Sequence, residues 1–218
     1  MNSMASNILW QEDYWLLLMR LYMQKPTGLK PMYSRQMVDL CMELHLAPEY
    51  LYERMFELRN ANTPYLKRLW EKYGDSPRRL KKDAETVKCM MGFFSGGSFY
   101  DGVEVSGTFE KNFCRISECG DVMPVMLILI LDLYFRLTPV TMVETTPEVQ
   151  ELARLMKIKA ERVVEVMEVF QLIDPYLNRN ELKASPLLKP CRDVWHRYGN
   201  GNIEQLASFA AQLKEYFA

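Results

Sequence analysis

The chain is expected to be all-α, a tandem duplication of a roughly five-helix module with a trihelical core, and three observations carry that expectation. The pattern W-x-x-Y-G occurs twice, as "RLWEKYGDS" at 68–76 and "DVWHRYGNG" at 193–201. A shift of 112 residues (15 onto 127) lays 15–59 on 127–171 without a gap, so that Leu17, Leu21, Tyr22, Leu40 and Met55 meet Leu129, Leu133, Tyr134, Leu152 and Met167. After the second motif, Leu206, Ala210, Leu213 and Phe217 repeat the i, i+4, i+7, i+11 stripe of Leu80, Ala84, Val87 and Met91, which is one face of a helix. Identity between the halves is low, but apolar positions fall on apolar positions in the same order, as a duplicated module requires.

The elements follow in order. The first copy predicts helices near 7–24, 34–44, 48–59, 64–73 and 77–91, and the register carries them onto 123–137, 147–156, 160–171, 186–198 and 203–217. The run "VMPVMLILIL" at 122–131 is too short to span a bilayer, contains Pro124 and is closed by Asp132, so it reads as a buried helix. Thr63-Pro64 and Ser185-Pro186 each supply a capping hydroxyl followed by proline in the first turn. Ser76-Pro77, Thr146-Pro147-Glu148 and Asn202 open three further helices in the same way. Between the copies, 92–120 is rich in glycine and in aromatic residues, too apolar for a solvated linker, with "VEVSGTF" a candidate hairpin. The expected organisation is a first module at 1–91, a connector at 92–120 and a second module at 121–218.

Composition narrows the function classes. The charged fraction is 25% and the net charge −1, so no global field draws the chain to nucleic acid or to an anionic membrane. Five cysteines, an odd count, are scattered through helical patterns, which points to a reducing cytosol rather than a disulfide framework. No secretory signal is visible at the N-terminus, and a cytoplasmic location is expected.

The motif itself predicts a helix end. Trp and Tyr at i and i+3 share a face, and the following glycine suits a left-handed terminal residue. Both rings are therefore expected to pack on the first three helices of their module. Glu71 and Lys72 of the first copy become His196 and Arg197 in the second, which marks the intervening positions as solvated.

In the second copy, "TPEVQELARLMKIKAERVVEVMEVFQLID" resembles the helix-turn-helix superfamily, with winged-helix-like features. Leu152-Ala153, Met156, Ile158, Val163 and Val166 supply the apolar and small residues of such a motif, with Lys157 where the family often has glycine. The first copy shows the same pattern in Leu40-Cys41, Leu44, Leu46 and Leu51, but Arg54 stands at a later apolar position. The segment "LIDPYLNRNEL" corresponds to a wing-like turn. The resemblance implies that the second helix of the motif would face a major groove. Its outer face is Glu49, Tyr52 and Glu53 in one copy and Lys159, Arg162 and Glu165 in the other, with Glu161 and Glu168 beside them. Carboxylates there repel phosphates, on whose neutralisation DNA affinity largely rests, and this weighs against groove insertion.

A second surface points the other way. Residues 63–88 hold Lys67, Arg68, Lys72, Arg78, Arg79, Lys81 and Lys82 with Trp70 and Tyr73 interleaved, a set suited to binding phosphates and stacking on bases.

Catalytic signatures are absent from the sequence, and no cofactor is expected. His45 follows Cys41 by four residues, but nothing nearby completes a zinc set. Ser95-Gly96-Gly97-Ser98 lacks the Lys-Ser/Thr of a phosphate-binding loop. Asp132, set in an apolar helix, is expected to point outward. The reading that follows is a non-catalytic cytosolic interaction or adaptor protein, without membrane association, whose target is another protein or a second copy of itself. The alternative is a DNA-associated regulator using the helix-turn-helix cores or the basic 63–88 face. The sequence specifies no small-molecule ligand.

Overall fold

The computed structural model describes residues 10–91, 109–177 and 185–218. The chain divides into two compact units, Met1–Val105 and Ser106–Ala218. Apart from an isolated bridge between Ile116 and Cys119, the described residues hold no strand, and the fold is all-α.

Unit 1 contains α1 (Tyr14–Met23), α2 (Arg35–Leu44), α3 (Pro48–Asn60), α4 (Pro64–Tyr73) and α5 (Pro77–Met91). Unit 2 opens with a short α6 (Glu110–Phe113), followed by α7 (Pro124–Arg136), α8 (Pro147–Met156), α9 (Ala160–Ile173), α10 (Leu188–Val194) and α11 (Ile203–Leu213). The division falls inside the expected connector and gives its second half to unit 2, where Phe113 packs against Tyr216 with ring centroids 4.9 Å apart. Residues 103–108 of the expected hairpin, and 178–182 of the expected wing-like turn, lie outside the described residues.

The helix ends differ from expectation in three places. α1 begins at Tyr14 rather than near 7, and Asp13 before it makes no side-chain cap bond. The helix expected over 186–198 starts at Leu188 and changes after Val194 into a π-helical turn, Trp195–Gly199. The last helix is α-helical to Leu213 and finishes as a 3₁₀ turn, Lys214–Tyr216.

Each unit is organised around its first long helix. α1 packs on α2, α3 and α5, and α7 packs on α8, α9, α10 and α11. A helix in contact with neighbours on several sides must be apolar nearly all round. Accordingly, Val125 to Tyr134 of α7 are buried without a break, and α1 buries Trp15, Leu17, Leu18, Met19 and Leu21. Each aliphatic side chain so buried contributes about 1.5–3 kcal/mol of transfer free energy. None of the described helices is long and apolar enough to cross a membrane.

Asp132 does not point outward. It is 4% exposed inside the apolar surroundings of α7. Its carboxylate accepts a hydrogen bond from the Arg136 guanidinium at 2.8 Å, one turn further on. Helical geometry places i and i+4 on one face, so the exposed arginine reaches back to neutralise the buried charge.

Positions 112 apart have matching roles. The turn after α2 is closed by His45 at φ 55°, ψ 39°, and the turn after α8 by Lys157 at φ 58°, ψ 39°. The amide of Leu46 donates to Cys41 O at 3.1 Å, and that of Ile158 donates to Ala153 O at 3.0 Å. These are equivalent Schellman-type closures. Lys157 thus takes the left-handed conformation that glycine usually fills, at a cost of about 1 kcal/mol. Leu51 and Met55 of α3 are buried as Val163 and Met167 of α9 are.

The capping reading of Thr63 is seen directly: its hydroxyl accepts from the Leu66 amide at 3.2 Å. Asn202 caps α11 by accepting from Glu204 N at 2.7 Å. Thr63→Ala is expected to cost about 1 kcal/mol, read as a lowered urea midpoint, while Thr63→Ser stays near the parent value.

Candidate functional site

The two motifs occupy helix ends, but their glycines are not left-handed. Gly74 has φ −53° and ψ −42°, and no described glycine other than Gly28 has positive φ. The reason for glycine is close approach. A Cβ on Gly74 would lie 2.7 Å from Trp70 O, and one on Gly199 would lie 2.7 Å from Cδ2 of the Trp195 ring. In both motifs the tryptophan four residues earlier occupies the space a side chain would need.

The tryptophans face matching helices, α1 and α3 in unit 1 and α7 and α9 in unit 2. Trp70 Nε1 donates to Leu58 O of α3 at 2.8 Å, and its ring meets Tyr22 of α1 edge-on at 5.6 Å. Trp195 meets Tyr134 of α7 edge-on at 6.0 Å and Phe170 of α9 at 6.1 Å. The tyrosines do not follow them. Tyr73 turns to the fifth helix, where its hydroxyl donates to Asp83 at 2.7 Å. Tyr198 turns to the matching position of α11 and stacks on Phe209 at 5.8 Å, 27°. The contact is kept while its chemistry changes from polar to aromatic.

This arrangement bears on the proposed stacking surface. Tyr73 is 3% exposed, and Lys72 Nζ and Arg79 Cζ lie 4.8 and 5.9 Å from its ring centroid. Trp70 is half-buried, with its N–H engaged. The ring faces that would receive bases are occupied within unit 1, which corrects the expectation for Tyr73 and reduces it for Trp70. The cations fare differently. Lys67, Arg68, Arg78, Lys81 and Lys82 are exposed on α4 and α5 and have no ion pair among the described residues. Arg79 reaches Asp83 only at 4.0 Å.

The outer face of α9 is closed by internal pairing. Arg162 grips Asp121 with both Nε and Nη2, at 2.9 and 2.7 Å, and donates to Glu165 at 2.5 Å. The hydrogen bonds to Asp121 and then Glu165 hold its guanidinium above the ordinary arginine range, and the same contact lowers the Asp121 carboxyl. Lys159, Glu161 and Glu165 are exposed around it. On α3, Glu49 accepts from the Tyr33 hydroxyl at 2.6 Å, Tyr52 stacks edge-on with Phe56 at 5.3 Å, and Glu53 is exposed. Arg54, at the position expected to be apolar, lies 4.8 Å from the Tyr50 ring and 5.8 Å from that of Trp10, and pairs with Glu57 at 2.6 Å. Its aromatic cover, which the helical period does not reveal, lets a charged side chain occupy a half-buried site.

Among the described residues no group of three His, Cys, Asp or Glu side chains is placed to hold a metal. All five cysteines are free thiols. No family model matches the chain, and no curated protein or solved structure matches it either.

Proposed function

We propose that the chain is a cytosolic, non-catalytic adaptor made of two copies of one module, and that its second copy presents the outer face of α9 to a basic protein surface. The observation that carries this reading is the engagement of Arg162 by Asp121 and Glu165. It removes the one arginine that the helix-turn-helix resemblance would offer to a phosphate. Beside that paired cluster the exposed face carries Glu161 and Glu168, with Lys159 at its edge. Such a face repels DNA and attracts lysine- or arginine-rich protein segments. The paired closures at His45 and Lys157, and the Tyr22–Trp70 and Tyr134–Trp195 ring pairs, support descent of both units from one module.

A second reading rests on the unpaired cations of α4 and α5, which favour a nucleic-acid backbone as the partner of unit 1. Two titrations separate the readings. A fluorescent lysine-rich peptide is expected to bind the full chain, to weaken as salt rises, and to be released by Glu161→Lys with Glu168→Lys. Labelled duplex DNA is expected not to bind. Salt-sensitive DNA binding that disappears with Arg78→Glu, Arg79→Glu, Lys81→Glu and Lys82→Glu would replace the adaptor by a DNA-associated regulator. Failure of the peptide to bind at low salt would sink the adaptor reading by itself.

A further inference from the structure

We propose that unit 2 carries a binding site for a small phosphate monoester with an apolar body, in the cleft between residues 111–118 and the end of α10. The cleft has a volume of ≈ 340 Å³, within the range of small-molecule sites. Its lining places Lys111 and Arg115 on one side and Lys189 and Arg197 on the other, with Ile116 and Val194 supplying apolar surface.

Three observations converge on an anion. First, none of the four cations forms an ion pair within 4.0 Å among the described residues, although every described salt bridge of unit 2 draws on Asp121, Asp132 or Glu165 elsewhere. Second, the cleft contains only two carboxylates, Glu118 and Asp193, so its walls carry a formal surplus of two positive charges, matching a phosphate monoester dianion. Third, Arg197 sits in the π-helical turn Trp195–Gly199, whereas the corresponding helix of unit 1 stays α-helical to Tyr73. Short π turns are uncommon and occur frequently at functional sites. Two arginines among the four cations add forked donors that match phosphate oxygens. The apolar wall excludes bare inorganic phosphate as the best occupant, because burying an apolar body adds affinity that a fully hydrated ion cannot.

The test uses the full chain and two probes, 1-naphthyl phosphate and 1-naphthol, followed by calorimetric titration at low salt. The phosphate is expected to bind with one site per chain, and naphthol to bind at least about tenfold more weakly, since the charge-assisted contacts are lost. Arg115→Glu with Arg197→Glu is expected to weaken naphthyl phosphate by about tenfold or more. Arg78→Glu with Lys81→Glu, in unit 1, should leave it within about twofold, as expected for charges outside the site. Circular dichroism establishes that each variant is folded. Because Arg115→Glu with Arg197→Glu alters the cleft walls as well as their charge, Arg197→Lys, which keeps the charge and loses the fork, is included and is expected to weaken binding less than the double reversal. Equal affinity for both probes, no binding of naphthyl phosphate, or equal weakening by the two charge-reversal pairs would overturn the proposal. Each of these results is independent of whether the α9 face binds a basic peptide.

Discussion

Replacing Trp195 by alanine destabilises unit 2 by about 3–5 kcal/mol, whereas the same change at Trp70 destabilises unit 1 by about 2 kcal/mol. The asymmetry follows from what each ring touches. Trp195 is 5% exposed and is enclosed by Tyr134, Phe135 and Phe170, which are themselves in ring contact. Its removal opens a cavity at the junction of α7, α9 and the π turn, walled by rings that cannot collapse without leaving their rotamers. Trp70 is half-buried and among the described residues touches a single ring, Tyr22. Its loss removes the indole donor from Leu58 O, but that carbonyl still accepts from the Ala61 amide at 3.3 Å, so it is not stranded. Urea titration by circular dichroism reads both effects, and amide hydrogen exchange in α1 and α7 assigns each to its unit. A Trp195 variant no less stable than the Trp70 variant would mean that the aromatic cluster of unit 2 is not the core its geometry indicates.

The same residues show what the sequence revealed and where it stopped. Helix α8 forms over Pro147–Met156, and α4 and α5 over Pro64–Tyr73 and Pro77–Met91, as their sequence patterns predict, because proline in the first turn fixes a helix start by local chemistry even where, as at Thr146, the preceding hydroxyl makes no cap bond. The turns at His45 and Lys157 are legible as a register match, and the glycine that helix-turn-helix turns often carry at the Lys157 position points to positive φ there, although neither residue type demands it. The burial of Asp132 was missed because its partner Arg136 lies on the same helix, and periodicity alone treats a charge as outward. The reason for Gly74 and Gly199 was misjudged for a related cause: a left-handed cap and a close approach to tryptophan select the same residue. The cleft of unit 2 was invisible, since Arg115 and Arg197 lie far apart in the chain and only the packing of the 111–118 segment beside α10 brings them to one lining.

Raising the pH from about 8.5 to 10.5 is expected to cost the parent chain about 2–3 kcal/mol more than it costs Cys191→Ala. Cys191 is fully buried on α10, and burial pushes its thiol up to about 12, with the neighbouring Cys119 and Glu165 charges acting in the same direction. Its folded form therefore holds a proton that the unfolded chain releases near about pH 8.5. Below that value both states are protonated and the residue adds no pH dependence. Between there and about 12 the unfolded state binds fewer protons, so stability falls as pH rises. Burial raises Cys119 and Tyr198 as well, which extends the decline in unit 2. Cys191→Ala gives up some packing at every pH, which lowers its whole curve, but it lacks the thiol whose ionisation separates the two states and so has the shallower slope. Urea midpoints in the presence of a reductant, measured across this pH range, give the comparison. Parallel curves for the parent and Cys191→Ala would show that the buried thiol is not what makes unit 2 sensitive to alkali.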